Sequence, residues 1–249
     1  LYTFPFGYAY LAGYLIDKGE EVQVLYQPKK IADFRNFAKN LISKKPLLVG
    51  FGTLYPDLYI VRELIKCMDE EGRDFPIVIG GQMVTPTPEF AMEITKADIG
   101  VIGEGEIILY NIVQTLREEG NLQNVKGIIL KTENKYITTE PGEYIKDMSK
   151  LPNVPYHLFP TEKWLNIGQF YINYSQPHWW YNDRVIAIHG GRGCPFNCSY
   201  CFNAGLKGLY KGQNYVRRRS VKNVIDEVKE VNKLWESERG SNGWGSSGK

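Results

Sequence analysis

Between residue 8 and about residue 119, short apolar runs alternate with helix-period stripes, and this alternation leaves the chain few architectures. Val22–Tyr26, Leu47–Phe51, Pro76–Ile79 and Ile99–Ile102 have strand length, and three of them are nearly continuous in apolar residues. A strand that is apolar on both faces is covered on both faces, the condition met by a parallel sheet flanked by helices. Between these runs Phe34, Phe37, Ala38 and Leu41 recur at helical spacing, as do Val61, Leu64, Ile65 and Met68, and then Leu109, Ile112, Val113 and Leu116. Gly19 and Gly72 stand where helix C-caps belong. The pattern predicts an open parallel α/β sheet. Cys67 flanks the apolar stripe of its helix and reads as a packing thiol.

Ligands of such sheets bind beyond the carboxyl ends of the strands. The segments there are Gly52–Asp57, Gly80–Thr85 and Gly103–Glu106. Their glycines let backbone approach a ligand, but tight strand-to-helix turns need glycine as well, and both readings stand.

Downstream, Val125–Leu130 and Tyr136–Thr139 flank a polar turn and predict a β-hairpin. Residues 146–184 combine prolines with aromatics, among them Trp164, Trp179 and Trp180, and read as an ordered connector rather than a free linker. Neither His157 nor His178 has a setting that marks it as a ligand. Val185–Ile188 reads as a buried strand, with His189 at its end. Ser220 can cap a helix with the stripe Val221, Val224, Ile225, Val228, Val231 and Trp235. The run Arg217-Arg218-Arg219 reads as a solvated helix entrance, with phosphate contact as the alternative.

With 43% hydrophobic residues, 23% charged and a net charge of +2, the chain can bury an ample core, enough for about two domains, and shows no bias toward nucleic acid or membrane. No apolar run reaches the length of a membrane span. Sparse cysteine points to a reducing, cytoplasmic setting. The start at Leu1 and the tail from Gly240 to Lys249 give the expectation of a fragment.

Three of the four cysteines fall within eight residues, as Cys194-Pro-Phe-Asn-Cys198-Ser-Tyr-Cys201, with Phe202 next. A short loop can turn three such thiolates onto one iron–sulfur cluster. Four-iron clusters are normally held by four thiolates, so three leave one iron open. A structural zinc site wants a fourth Cys or His, usually in a second spaced pair. A disulfide leaves an odd thiol in the same loop. Gly190-Gly191-Arg192-Gly193 supplies permissive backbone ahead of the loop.

Arg-Gly-Cys-Pro followed by x-x-Cys-x-x-Cys-aromatic resembles the radical S-adenosylmethionine (radical SAM) superfamily. The resemblance implies that Cys194, Cys198 and Cys201 hold a 4Fe–4S cluster, that SAM chelates the fourth iron, and that one-electron reduction cleaves SAM to a 5′-deoxyadenosyl radical; Phe202 would sit beside these cofactors. The opening Phe6–Leu15, the strand with Gly80-Gly81 and the turn Ile102–Glu106 extend the likeness to cobalamin-binding radical SAM proteins. In that family a front Rossmann-like domain holds cobalamin, which implies contacts from Thr53, Gly80, Gly81, Gly103, Glu104, Gly105 and Glu106. Gln82 and Met83 stand where family members often have Pro and His, and the Asp-x-His-x-x-Gly lower-ligand motif is absent.

The expected fold is thus α/β: an open parallel Rossmann-like sheet domain lacking its first strand (1–120), a β-hairpin and connector (121–184), and the first βα unit of an incomplete radical SAM (β/α) barrel (185–249). The implied function is SAM cleavage, with methyl transfer, ring formation or rearrangement on a small-molecule or biosynthetic-intermediate substrate. The implied electron source is a one-electron donor such as flavodoxin or ferredoxin. Two alternatives remain: a radical SAM protein whose front domain binds no cobalamin, and a non-catalytic iron–sulfur electron carrier.

Overall fold

A computed structural model describes residues 4–28, 30–133, 135–159 and 188–239. Helices α1 (Phe6–Asp17) and α2 (Phe34–Ser43) precede an alternation of β1 (Val49–Gly52), α3 (Asp57–Glu70), β2 (Ile77–Gly80), α4 (Pro88–Thr95), β3 (Ile99–Val101) and α5 (Gly105–Arg117). A hairpin of β4 (Ile128–Lys131) and β5 (Tyr136–Thr138) follows. The last described part holds β6 (Gly191–Arg192), α6 (Asn203–Leu209), β7 (Arg217–Arg218) and α7 (Val221–Arg239).

Strands β1 to β5 form one sheet in chain order. The first three are parallel, with Gly52 opposite Gly80 and Val78 opposite Ile99. The expected hairpin is present and continues this sheet, since β4 pairs antiparallel with β3. Alternation along β2 explains the two apolar layers. Ile77 and Ile79 face Ala38 and Leu41 of α2, Leu64 and Met68 of α3 and Met92 of α4. Val78 faces the other way, toward Ile108 and Ile112 of α5 and Ile128 of β4. Gly19 and Gly72 close α1 and α3 with φ of 86° and 78°, where a side chain is disfavoured.

Three expectations are corrected. Val22–Tyr26 forms no strand. Glu20, just before it, accepts from Arg117 and Gln114 of α5, and Val24 packs with α1, which draws the segment away from the free edge of β1. His189 is not on a buried strand; it is exposed, with its ring stacked on Phe6 at 4.0 Å. The stripe on α7 is only partly covered: Val231 is buried while Val221, Ile225 and Val228 are exposed, because Glu227 takes the inward position. Ser220 does cap α7, its hydroxyl accepting from the Asn223 amide at 3.2 Å.

The connector is ordered where it is described. Ile145, Met148, Leu151, Val154, Tyr156 and Phe159 pack against Ala9 and Tyr10 of α1. Gly13 permits this contact, since a Cβ there would lie 2.9 Å from the Asn153 carbonyl. Trp164, Trp179, Trp180, His178, residues 185–187 and the tail from Gly240 lie outside the described residues. Among the described residues no helix is long and apolar enough to cross a membrane.

Gly100 is the most closely enclosed glycine of the five-stranded sheet: a Cβ there would lie 2.6 Å from Ile129 Cγ2 and 3.1 Å from both Met92 Sδ and Val84 Cγ1. Gly100→Ala is expected to cost about 1–3 kcal/mol by overpacking. Gly50→Ala, with nothing within 4 Å of the added atom, is expected to be neutral or to stabilise by up to about 1 kcal/mol. Denaturant midpoints of the two variants check this ordering.

Candidate functional site

The carboxyl edge of the parallel strands carries three loops. In the first, the Gly52 amide donates to the Tyr8 phenol at 2.6 Å, and burial raises the Tyr8 pKa. Thr53, buried, donates to the Gly80 carbonyl from its amide at 2.8 Å and from its hydroxyl at 2.9 Å. Gly81 crosses this junction with φ of 103°, and a Cβ on it would press within 3.2 Å of the Thr53 backbone. Gly81 is therefore required by the approach of two loops, whereas a Cβ on Gly80 would meet only Val101 at 3.7 Å. Beyond the junction Leu54, Tyr55 and Gln82 are exposed, forming an open rim with an apolar component.

The third loop is closed by the downstream segment. Gly103 has φ of 100°, and a Cβ there would overlap the phenol oxygen of Tyr210. That oxygen accepts from the Glu104 amide at 2.9 Å, satisfying a donor at the start of α5. The Glu104 carboxylate receives a two-pronged contact from Arg217, one prong at 3.0 Å, together with the Ile145 amide at 3.3 Å and Arg192 at 3.5 Å. Glu106, buried, is paired with Arg192. Arg192 also lies over the Tyr10 ring at 5.1 Å, and Arg217 over Tyr144 at 4.4 Å. Burial acts against the Arg192 cation, but Glu106 and Glu104 outweigh it and its pKa is raised. Gly105 lets α1 approach, since a Cβ there would lie 2.9 Å from Leu11 Cδ2.

A second buried pair lies alongside. Arg219 and Glu227 are 1% and 0% exposed in their side chains and in direct contact. The Tyr156 hydroxyl donates to Glu227 at 2.6 Å, and burial together with that carboxylate raises the Tyr156 pKa strongly. Arg219 also donates to the His189 carbonyl at 3.2 Å. The run Arg217-Arg218-Arg219 is thus not a solvated helix entrance. Alternation along β7 sends Arg217 and Arg219 inward and leaves only Arg218 outside.

The cysteine loop hangs between β6 and β7, in which Arg192 pairs directly with Arg217. Cys194, Cys198 and Cys201 are free and half-buried. The Cys201 amide donates to the Cys198 carbonyl at 3.1 Å, making a turn, and the Asn203 side-chain amide donates to Cys201 Sγ at 3.4 Å. Tyr215 holds Asn203 in place at 2.8 Å, and Lys207 binds the Phe196 carbonyl and the Asn197 side chain. Phe202, half-buried, precedes α6, while Phe196 and Tyr200 are exposed. Among the described residues no three His, Cys, Asp or Glu side chains are gathered as a metal site. Cys67 packs with the α2–α4 core.

Sequence reasoning had placed Glu104 and Glu106 correctly at the sheet edge, yet it missed their partners. Nothing local marked those partners, Arg192 and Arg217, which lie 86 residues beyond Glu106 and 113 beyond Glu104.

Comparisons with known proteins agree with this geometry. Residues 1–113 match the B12 binding domain family. The chain is 27% identical over 225 residues to the uncharacterized methyltransferase PH0819 of Pyrococcus horikoshii, covering 90% of this chain and 45% of that protein. It is 27% identical over 232 residues to an anaerobic magnesium-protoporphyrin IX monomethyl ester cyclase of Rubrivivax gelatinosus, covering 90% and 38%. Among solved structures, the radical SAM methyltransferase TsrM of Kitasatospora setae, with cobalamin and a [4Fe-4S] cluster bound, superposes with a TM-score of 0.66 at 21% identity, over 94% of this chain and 44% of that one. The cobalamin-dependent radical SAM enzyme OxsB gives 0.68 at 15%, over 95% and 30%. The fold is that of cobalamin-dependent radical SAM enzymes. Residues 1–113 thus carry the likeness to the B12 binding domain family, and the described chain as a whole shares its fold with these solved structures. It spans less than half the length of the curated relatives it matches.

Burial pushes the Tyr210 phenol up to about 12 from an ordinary value of 10.0. The folded chain then keeps a proton that the unfolded chain releases, so this contribution is complete below pH 10 and is lost as pH rises toward 12. Tyr210→Phe should show a shallower fall of stability across that window, read by unfolding at successive pH values.

Proposed function

We propose that this protein is a radical SAM enzyme in which Cys194, Cys198 and Cys201 hold a 4Fe–4S cluster and the front sheet presents cobalamin to the same cavity. The observation that supports it most is the docking of β6 and β7, the two stems of the cysteine loop, onto Glu104 at the carboxyl edge of the B12-type sheet.

The residues fit the implied groups. Three free thiols in eight residues are a soft donor set suited to iron, and Asn203 already donates to one sulfur, the kind of contact that tunes a cluster. Loading requires the thiols to turn inward. At the first two sheet loops, the exposed Leu54 and Tyr55 suit a broad macrocycle with an apolar edge, and the Thr53–Gly81 junction supplies close-set backbone for its tail. Residues 1–120 contain no histidine, so this stretch offers no imidazole to cobalt. When bound, the reduced cluster supplies the electron that cleaves SAM, and cobalamin is suited to carry a methyl group. The chain's own residues position: Asn203 orients Cys201, Lys207 ties the loop to α6, and Gly193 allows the chain to pass the Tyr215 carbonyl. Methyl transfer is the favoured outcome, with ring formation as the second, in keeping with the methyltransferases and the cyclase among the relatives. The substrate is a small molecule or biosynthetic intermediate, and a flavodoxin or ferredoxin supplies the electron.

Anaerobic reconstitution of the full-length protein, with its whole barrel, should give about four irons per chain and cleave SAM to 5′-deoxyadenosine under reduction. Cys198→Ala should lose both properties and Cys67→Ser should keep both. A cluster that depends on Cys67, or survives loss of Cys198, would sink the assignment. Hydroxocobalamin titration should show a bound-corrin spectrum, and Leu54→Asp should weaken it about tenfold or more through lost apolar contact. Equal retention by parent and variant would remove the corrin from this rim.

A further inference from the structure

The geometry points to Glu104 as a positioning residue that sets where the cysteine loop sits over the carboxyl edge of the front sheet. Its carboxylate takes donors from three separate segments: Ile145 of the connector, Arg192 of β6 and Arg217 of β7. Arg192 and Arg217 are register partners across one ladder, and residues 193–216 between them carry all three thiols of the loop. One carboxylate therefore grips both stems of the loop. Its own backbone is fixed as well, because the amide is held by Tyr210, the residue just after α6.

Direction follows from the chemistry of the groups. A guanidinium presents its donors in a rigid plane, so a two-pronged contact fixes angle as well as distance. Arg217 is held on its far side by the Ile145 and Tyr215 carbonyls and by the face of Tyr144, which leaves the fork one orientation. Arg192 is fixed in the same way between Glu106 and the Tyr10 ring. Glu106 anchors one stem only, and Glu104 joins the two. The consequence for the cofactors rests on the function proposed above, but the contact itself does not.

Hydrogen exchange of the full chain, measured without cofactors, tests the contact. In Glu104→Gln the amides of residues 191–193 and 215–219 should exchange about tenfold faster or more, while β2 and β3 keep their protection. Arg217→Lys, which keeps the charge and removes the fork, should give the same selective pattern. Glu89→Gln, on the exposed first turn of α4, should change neither region. After loading with iron, sulfide and hydroxocobalamin, Glu104→Gln should bind both groups at parental stoichiometry. The magnetic interaction between the reduced cluster and cob(II)alamin in the EPR spectrum should change, reporting altered spacing. Unchanged exchange at both stems, or loss of protection across β2 and β3 as well, would overturn the assignment, the latter by making Glu104 a residue of the folding core. An unaltered EPR interaction at full loading would overturn it too. Failure of the parent protein to bind cluster or corrin would reject the proposed function and leave the exchange result to decide the contact.

Discussion

A carboxylate leaves water only where other groups replace its hydration, and the start of α5 takes two of them out of water together. Glu104 and Glu106 lie on a helix that cannot satisfy them, and their partners come from 86 and 113 residues further along the chain. The carboxyl edge of the front sheet is therefore capped by the separate two-stranded ladder of β6 and β7. Replacing such a network with apolar groups often costs nothing in stability, whereas removing one member is costly. What the network contributes is specificity of arrangement. Any other docking of the cysteine segment would leave Glu106 buried and Glu104 nearly so without the cations of Arg192 and Arg217.

That division explains what was legible in the sequence. Strands β2 and β3 were readable because burial on two faces writes itself as a continuous apolar run, β1 from its apolar run although it is only half-buried at the sheet edge, and helices α2, α3 and α5 because burial on one face writes a stripe. The hairpin was readable from its polar turn, but not its membership in the main sheet, since nothing local in Ile128–Lys131 specifies β3 as a neighbour. Val22–Tyr26 has the composition of a strand, and only the tether of Glu20 to Arg117 shows why it lies elsewhere. Long-range electrostatics has no periodicity. Three consecutive arginines look solvated until the partners of Arg217 and Arg219 are known.

The candidate site divides in the same way. The thiols were identifiable because spacing along a chain is itself local information. The glycine-marked loops were found too, but the sequence could not say what each glycine is for. At Gly81 the neighbour is the Thr53 backbone, at Gly105 it is Leu11, and at Gly103 it is the Tyr210 phenol. Each glycine marks a close approach of protein to protein, and the surface left for a ligand is narrower than the glycine pattern alone suggests. It is concentrated at the loops after β1 and β2.

The cysteine-bearing stretch itself has little apolar anchorage, with Phe196 and Tyr200 70% and 91% exposed, whereas Tyr210 and Tyr215 downstream are buried and Leu209 packs on the sheet core. Its position is fixed at the stems and at Tyr210. Arg217 faces α5, Arg219 faces Glu227 of α7, and Tyr10 of α1 touches both systems through Arg192 and Arg219. A loop packed by its own side chains would resist any rearrangement of its sulfurs. A stretch of thiols held by its flanks, at the stems and at Tyr210, keeps its place against the sheet while the three sulfurs remain free to turn, and gathering donors that are not yet gathered requires that combination.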